Sequence, residues 1–124
     1  MNISFAWTTA DFEAGRKTAT RRFWPDKYAR LFPAGSRHSA WNKSPRFKGS
    51  KIGFITVVSL FKQPLSQMTE ADLREEGTLW SSVDEYVEMM LSQGKGDTPW
   101  VVRFDAFNLS GNLIAMADRG YKHE

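Results

Sequence analysis

Residues 51–61, Lys-Ile-Gly-Phe-Ile-Thr-Val-Val-Ser-Leu-Phe, constrain the fold of this chain more than any other segment. Ile, Val, Phe and Thr fit a pleated, buried surface, and eleven residues without Pro are a strand's length of them. This strand is expected to be central. Residues 100–107, Trp-Val-Val-Arg-Phe-Asp-Ala-Phe, read as a second strong strand, and Ser110-Gly111-Asn112 as a hairpin turn into a further strand at 113–117. Residues 3–7 alternate apolar and small side chains as an opening strand would, and 37–41 can form another.

Between the strands lie short helix signals. Thr8 and Thr9 are placed as caps, with Asp11 and Glu13 in the first turn and Gly15 as the stop. Pro25 suits the first turn of a helix at 26–31. Thr69 with Asp72 three residues later predicts a capped helix to Glu76, ended by Gly77, and Ser82 with Glu85 repeats the pattern for a helix to Gln93. No repeat and no linker divides the chain, so residues 1–124 are expected to form one α+β domain with a mostly antiparallel, barrel-like sheet and flanking short helices. The tail from Asp118 carries no pattern that would pin it and is expected to be loose.

Nine Phe, five Trp and three Tyr are far too much bulky apolar surface for a disordered chain. The absence of Cys removes disulfides, thiolate nucleophiles and Cys-based zinc sites. The two histidines, His38 and His123, have no ligand spacing, so both are expected at the surface and no metal or cofactor is expected. The N-terminus has no basic region before an apolar run, and no window approaches the roughly 18 apolar residues of a spanning helix; the expectation is a cytoplasmic protein without a membrane partner. The net charge of +3 conceals a division: residues 1–62 carry 12 Lys/Arg against 3 Asp/Glu, and residues 63–124 carry 5 against 11, so the halves are +9 and −6. The basic half is a candidate phosphate-facing surface.

No Gly-rich phosphate loop, HExxH or Ser-His-Asp spacing is present. What remains is Gly15-Arg16-Lys17-Thr18-Ala19-Thr20-Arg21-Arg22, a GxKxxTxR pattern directly after a short helix. That segment, with the early strand and helix, the strand at 51–61, a helix ending Glu75-Glu76-Gly77 and the closing strand Trp100-Val101-Val102-Arg103-Phe104, resembles the ASCH family, a β-barrel group related to the PUA RNA-binding fold. The resemblance implies a PUA-like barrel with an interest in RNA or its nucleosides. Some ASCH proteins resemble small amidohydrolases that deacylate cytidine acetylated on its exocyclic amine with a Lys, a Thr and a Glu, which here fall on Lys17, Thr20 and Glu76. The pattern departs from several relatives in having Ala19 and Arg21 where apolar β-branched residues stand.

A Lys among the cations Arg16, Arg21 and Arg22 in a desolvated cleft loses preference for its charged form and can act as a base near neutrality. Thr20 would then be the nucleophile, Glu76 would assist the leaving amine, and Arg22 would position the ligand. Each residue has a plainer reading: phosphate binding or surface charge for Lys17 and Arg22, a strand position for Thr20, and for Glu76 a choice with adjacent Glu75. Lys17 and Thr20 would share a face on a helix but point oppositely along a regular strand.

Residues 23–50 interleave aromatics with Lys and Arg, and 42–50 form a basic loop. Most of the aromatics suit core packing. Trp41 and Phe47, flanked by Lys43, Arg46 and Lys48, are the ones expected to face solvent, where rings stack on unpaired bases while cations track the backbone. Two main readings follow. One is a metal-independent amidohydrolase with a closed pocket around Lys17, Thr20 and Glu76. The other is a single-stranded RNA-binding module, with ribonuclease activity as in some relatives, presenting an open groove of Lys17, Arg21, Arg22, Arg46 and Lys48. A third is an interaction domain that uses the acidic helices at 69–93.

Overall fold

The structure is a computed structural model that describes residues 1–116. His123 and the tail from Asp118 lie outside the described residues, as does Ala117. The elements run β1 (Asn2–Ser4), α1 (Thr9–Glu13), β2 (Ala19–Arg22), α2 (Asp26–Ala29), β3 (Arg37–Trp41), β4 (Lys51–Lys62), α3 (Glu70–Glu76), α4 (Val83–Leu91) and β5 (Trp100–Phe107). The strands form one mixed sheet in the order β1-β3-β4-β5-β2, parallel between β1 and β3 and antiparallel elsewhere.

β4 is the central strand, as its composition requires. Its pairing with β5 shifts between Val57 and Ser59, so Val58 is an extra residue, which accounts for an apolar side chain standing in solvent at the middle of the sheet. A second irregularity lies at Ala40/Trp41 on β3. Such bulges bend and twist a strand, and the sheet curls into a half-barrel. The two edges, β1 and β2, do not pair with each other. One side chain bridges the gap: Arg22 Nη2 at the end of β2 donates to the Ser4 carbonyl at the end of β1 at 2.6 Å.

The concave face carries Ile3, Phe5, Phe12, Phe32, Ile55, Val57, Val102 and Phe104, with Phe5 and Phe12 stacked at 4.9 Å. A second cluster, Leu65, Met68, Leu73, Tyr86 and Met90, packs α3 and α4. Val101 and Val102 point to opposite faces of β5, yet both are fully buried, because α3 covers the Val101 side. Arg103, on that same side, donates to Asp72 and Glu75 of α3.

Local chemistry explains where the expected boundaries fail. The opening strand ends at Ser4 rather than residue 7, because the chain tightens into a 3-10 turn at Ala6–Thr8. The Thr8 hydroxyl donates to the Phe5 carbonyl at 2.8 Å, so Thr8 stabilises that turn instead of capping α1. Thr69 and Asp72 make the expected reciprocal capping box, whereas at α4 Ser82 accepts from Glu85 N while the Glu85 carboxylate takes the Ser81 hydroxyl. α2 ends at Ala29 and α4 at Leu91, short of the expected 31 and 93. After the turn held by the Asn108 side chain, Leu113 makes a single bridge to Phe107 and no strand follows through Met116.

His38, expected at the surface, is buried against the Phe32 ring. The Ser36 hydroxyl donates to the Pro33 carbonyl, so it accepts from His38 Nε2–H at 2.7 Å, which leaves Nδ1 unprotonated and without a partner. Burial, with help from the N-terminal ammonium, lowers the imidazole pKa to about 4. The unfolded chain therefore binds a proton here between the ordinary value of 6.5 and about 4, while the folded chain does not. Stability is expected to fall as pH drops through that window. Urea midpoints at pH 7 and pH 4.5 should draw closer together in His38→Gln than in the wild type; equal spacing would refute the assignment.

Candidate active site

The GxKxxTxR segment is fixed by Asp11, a buried α1 residue. Its backbone carbonyl accepts from Arg16 N at 2.8 Å and Lys17 N at 3.2 Å, and its carboxylate accepts from Arg16 Nε at 2.7 Å, Thr78 N at 3.0 Å and the Thr78 hydroxyl at 2.9 Å. These bonds hold its carboxyl below the usual range against the opposing effect of burial. The same side chain thus ties the start of the motif to the residues just past α3. Thr18 N donates to the Glu75 carbonyl at 2.9 Å and closes the same junction. Gly77 makes it possible: φ is 125°, and a Cβ there would sit 2.5 Å from Asp11 Oδ2.

Strand register resolves how Lys17 and Thr20 come to line one cavity. Thr20 lies opposite Val102, whose side chain is in the concave core, whereas Arg21 lies opposite Val101 on the α3 face. Residues 17 and 18 precede the strand and escape its alternation. β2 is also a sheet edge, so side chains from both faces reach round it into one cavity of about 400 Å3.

At the floor of that cavity Glu76 is the hub. Lys17 Nζ donates to its carbonyl at 2.9 Å and to Oε1 at 3.2 Å, while Arg21 Nη1 donates to Oε2 at 2.8 Å. All three side chains are at most 2% exposed. Arg21 also donates to Gln63 at 2.8 Å and lies 3.8 Å from Asp72. Burial pushes the Lys17 amine below its ordinary value; Glu76 opposes that shift and Arg22 adds to it. Burial pushes the Tyr86 phenol far upward, reinforced by the charge of Glu76, so Tyr86 is neutral. Arg22 Nε donates to Thr20 Oγ1 at 3.1 Å. Among the described residues lining the cavity are four basic side chains, Lys17, Arg21, Arg22 and Lys95, and one carboxylate, Glu76. The floor can bind an electron-rich group.

Glu76, not Glu75, turns inward; Glu75 accepts from Arg103 at 3.1 Å. Arg16 pairs with Asp11 and is not part of the cavity lining, and Arg21 is buried and donates to Glu76 and Gln63, so neither forms an exposed phosphate contact. Trp41, Lys43, Arg46, Phe47 and Lys48 are likewise outside the cavity. Trp41 is half-buried and donates to Asn2, while Phe47 is exposed with the Arg46 guanidinium 5.7 Å from its ring centre. The cavity walls were not legible in the sequence: Phe5, Trp7, Trp24, Trp80, Tyr86 and Met89 come from four separate segments. Only the abundance of aromatic residues hinted at them. Among the described residues no cluster of His, Cys, Asp and Glu is arranged to hold a metal ion, and no helix is long and apolar enough to cross a membrane.

No family model and no curated protein sequence matches the chain. Solved structures do. A protein of Enterococcus faecalis V583 described by the family model DUF984 superposes with a TM-score of 0.58 at 15% identity, covering 98% of this chain and 80% of its own. Two single-substitution variants of ZmASCH from Zymomonas mobilis superpose with TM-scores of 0.56 and 0.52 at 18% and 16% identity, covering 89% and 90% of this chain and 74% and 75% of theirs. The fold is therefore ASCH-like, an α+β PUA-like half-barrel.

The Gly77 junction gives a direct test. Gly77→Ala should destabilise the protein by about 1–3 kcal/mol through its backbone conformation alone, with the Asp11 contact adding to the loss. Chemical denaturation measures it, and a variant as stable as wild type would contradict the packing described.

Proposed function

We propose, with the ASCH-like fold as premise, that this chain is a metal-independent amidohydrolase that removes an acyl group from the exocyclic amine of a cytidine-type base. One observation carries the reading: a fully buried lysine amine with a lowered pKa, bonded to a carboxylate, lies in a cavity walled by aromatic rings that the Thr20 side chain also lines. The volume, about 400 Å3, is within the roughly 300–1,000 Å3 of small-molecule sites.

Protonation decides the chemistry. A neutral Lys17 amine has two N–H donors, which the Glu76 carbonyl and Oε1 accept, and its lone pair is left to take a proton from Thr20. Thr20 Oγ1 then attacks the acyl carbon, and the Arg22 Nε–H that it already accepts stabilises the developing alkoxide. The remaining Arg22 donors suit the tetrahedral oxyanion. As the C–N bond breaks, the proton held by Lys17 passes through Glu76 to the departing amine nitrogen. Water then hydrolyses the threonine ester with Lys17 as base. Arg21 holds the Glu76 carboxylate in place throughout.

The test is cytidine release from cytidine acetylated on its exocyclic amine, with a chelator present. Lys17→Ala and Thr20→Ala should each lower kcat/KM by about 10²–10⁴-fold while remaining folded. The wild-type rate should rise with pH through the lowered Lys17 pKa, since the base acts unprotonated. No release by folded wild type at high enzyme concentration would end this reading. A second reading, binding of single-stranded RNA, is favoured by the exposed Phe47 ring beside Arg46, Lys43 and Lys48. It would show as RNA affinity that falls steeply with salt and weakens in Phe47→Ala.

A further inference from the structure

Phe5 and Trp7 line the same cavity from opposite ends, although they stand only two residues apart. Phe5 is 3% exposed and belongs to the core, whereas Trp7 is 87% exposed at the mouth. In a continued strand the two side chains would share one face. Ala6 separates them by adopting a φ of 45°, a left-handed conformation that disfavours any residue with a Cβ and that glycine would occupy freely.

The turn is held in place from the following residues. Thr8 N donates to the Phe5 carbonyl at 2.9 Å, the Thr8 hydroxyl donates to the same oxygen at 2.8 Å, and the Thr9 hydroxyl donates to the Ala6 carbonyl at 2.7 Å. Strain that the surroundings over-determine in this way clusters at ligand clamps. Here its result is a large indole held in solvent over a cavity. Folding gains nothing from that arrangement, because the apolar surface of Trp7 stays wet. The cavity is also lined by Trp24 and Trp80, each already braced, Trp24 on Phe32 at 4.4 Å and Trp80 on Tyr86 at 4.6 Å. Trp7 has its backbone fixed and its face free.

We infer that Trp7 is the specificity-determining residue of this site, a preorganised platform that selects ligands with a flat unsaturated ring by stacking on them at the mouth. This deepens the amidohydrolase reading and rests on it for the identity of the ring. Base–aromatic stacking discriminates through the ring face, so a saturated, puckered ring of the same hydrogen-bonding pattern should lose it.

The experiment is calorimetric binding of cytidine and of 5,6-dihydrocytidine to wild type, Trp7→Ala and Trp7→Phe, run beside turnover of the acetylated cytidine. Wild type should prefer cytidine by about tenfold or more, Trp7→Ala should bind both alike, and Trp7→Phe should recover part of the preference. In turnover, Trp7→Ala should raise KM with kcat little changed. Equal affinity of Trp7→Ala and wild type for cytidine would overturn the inference, as would failure of wild type to bind either ring at millimolar concentration. Binding preference without turnover would sink the hydrolase alone; turnover with a KM indifferent to Trp7 would sink the inference alone.

Discussion

The Glu76 carboxylate, clasped between Lys17 at 3.2 Å and Arg21 at 2.8 Å, is the interaction on which the rest of the structure turns. All three groups are out of water, and a buried ion pair repays its desolvation only when its geometry is good and further hydrogen bonds complete it. Here Gln63 and the Glu76 carbonyl provide them. The network joins the end of α3 to the segment entering β2 across 59 residues of sequence. It has more cation than carboxylate. Burial depresses the Lys17 amine, Glu76 opposes the shift and Arg22 adds to it, while the surplus of basic groups leaves the floor receptive to negative charge.

The sheet makes this possible by failing to close. Were β1 and β2 paired, the concave face would be a filled barrel and β2 would have no free edge. Instead the seam carries Arg22, which bonds to Ser4 on one side and Thr20 on the other, and the cavity opens beside it. The exposed strand edge is covered by a cationic side chain and put to use. Bulges at Val57/Ser59 and Ala40/Trp41 supply the curl that brings the two edges within reach of one side chain.

Much of the fold was legible because it is local. The 51–61 run is a central strand, residues 100–107 are β5 to the residue, and Thr69 with Asp72 caps α3. Boundaries slipped where hydroxyls compete for the backbone, as at Thr8, whose bond to Phe5 replaced the cap it was expected to make. The site was legible in part: Lys17, Thr20 and Glu76 do converge, while Arg16 turns to Asp11 and Arg21 is consumed internally. Asp11 was visible only as a first-turn acid, since nothing local shows that its carboxylate reaches Thr78, 67 residues away.

The sequence by itself determined most of the elements and their order, but not the strand at 19–22, and its expected strand at 113–117 is only a single bridge at Leu113. Periodicity and capping act within a few residues, and those interactions are written in neighbouring letters. Only the tertiary structure decided that Glu76 rather than Glu75 faces the cavity, that Lys17 loses its solvent, and that the wall is built from Phe5, Trp7, Trp24 and Trp80. Those outcomes depend on how a strand edge, a helix end and a strained turn at Ala6 come together, and burial, the cause of the Lys17 shift, is a property of the assembled surface and not of any segment.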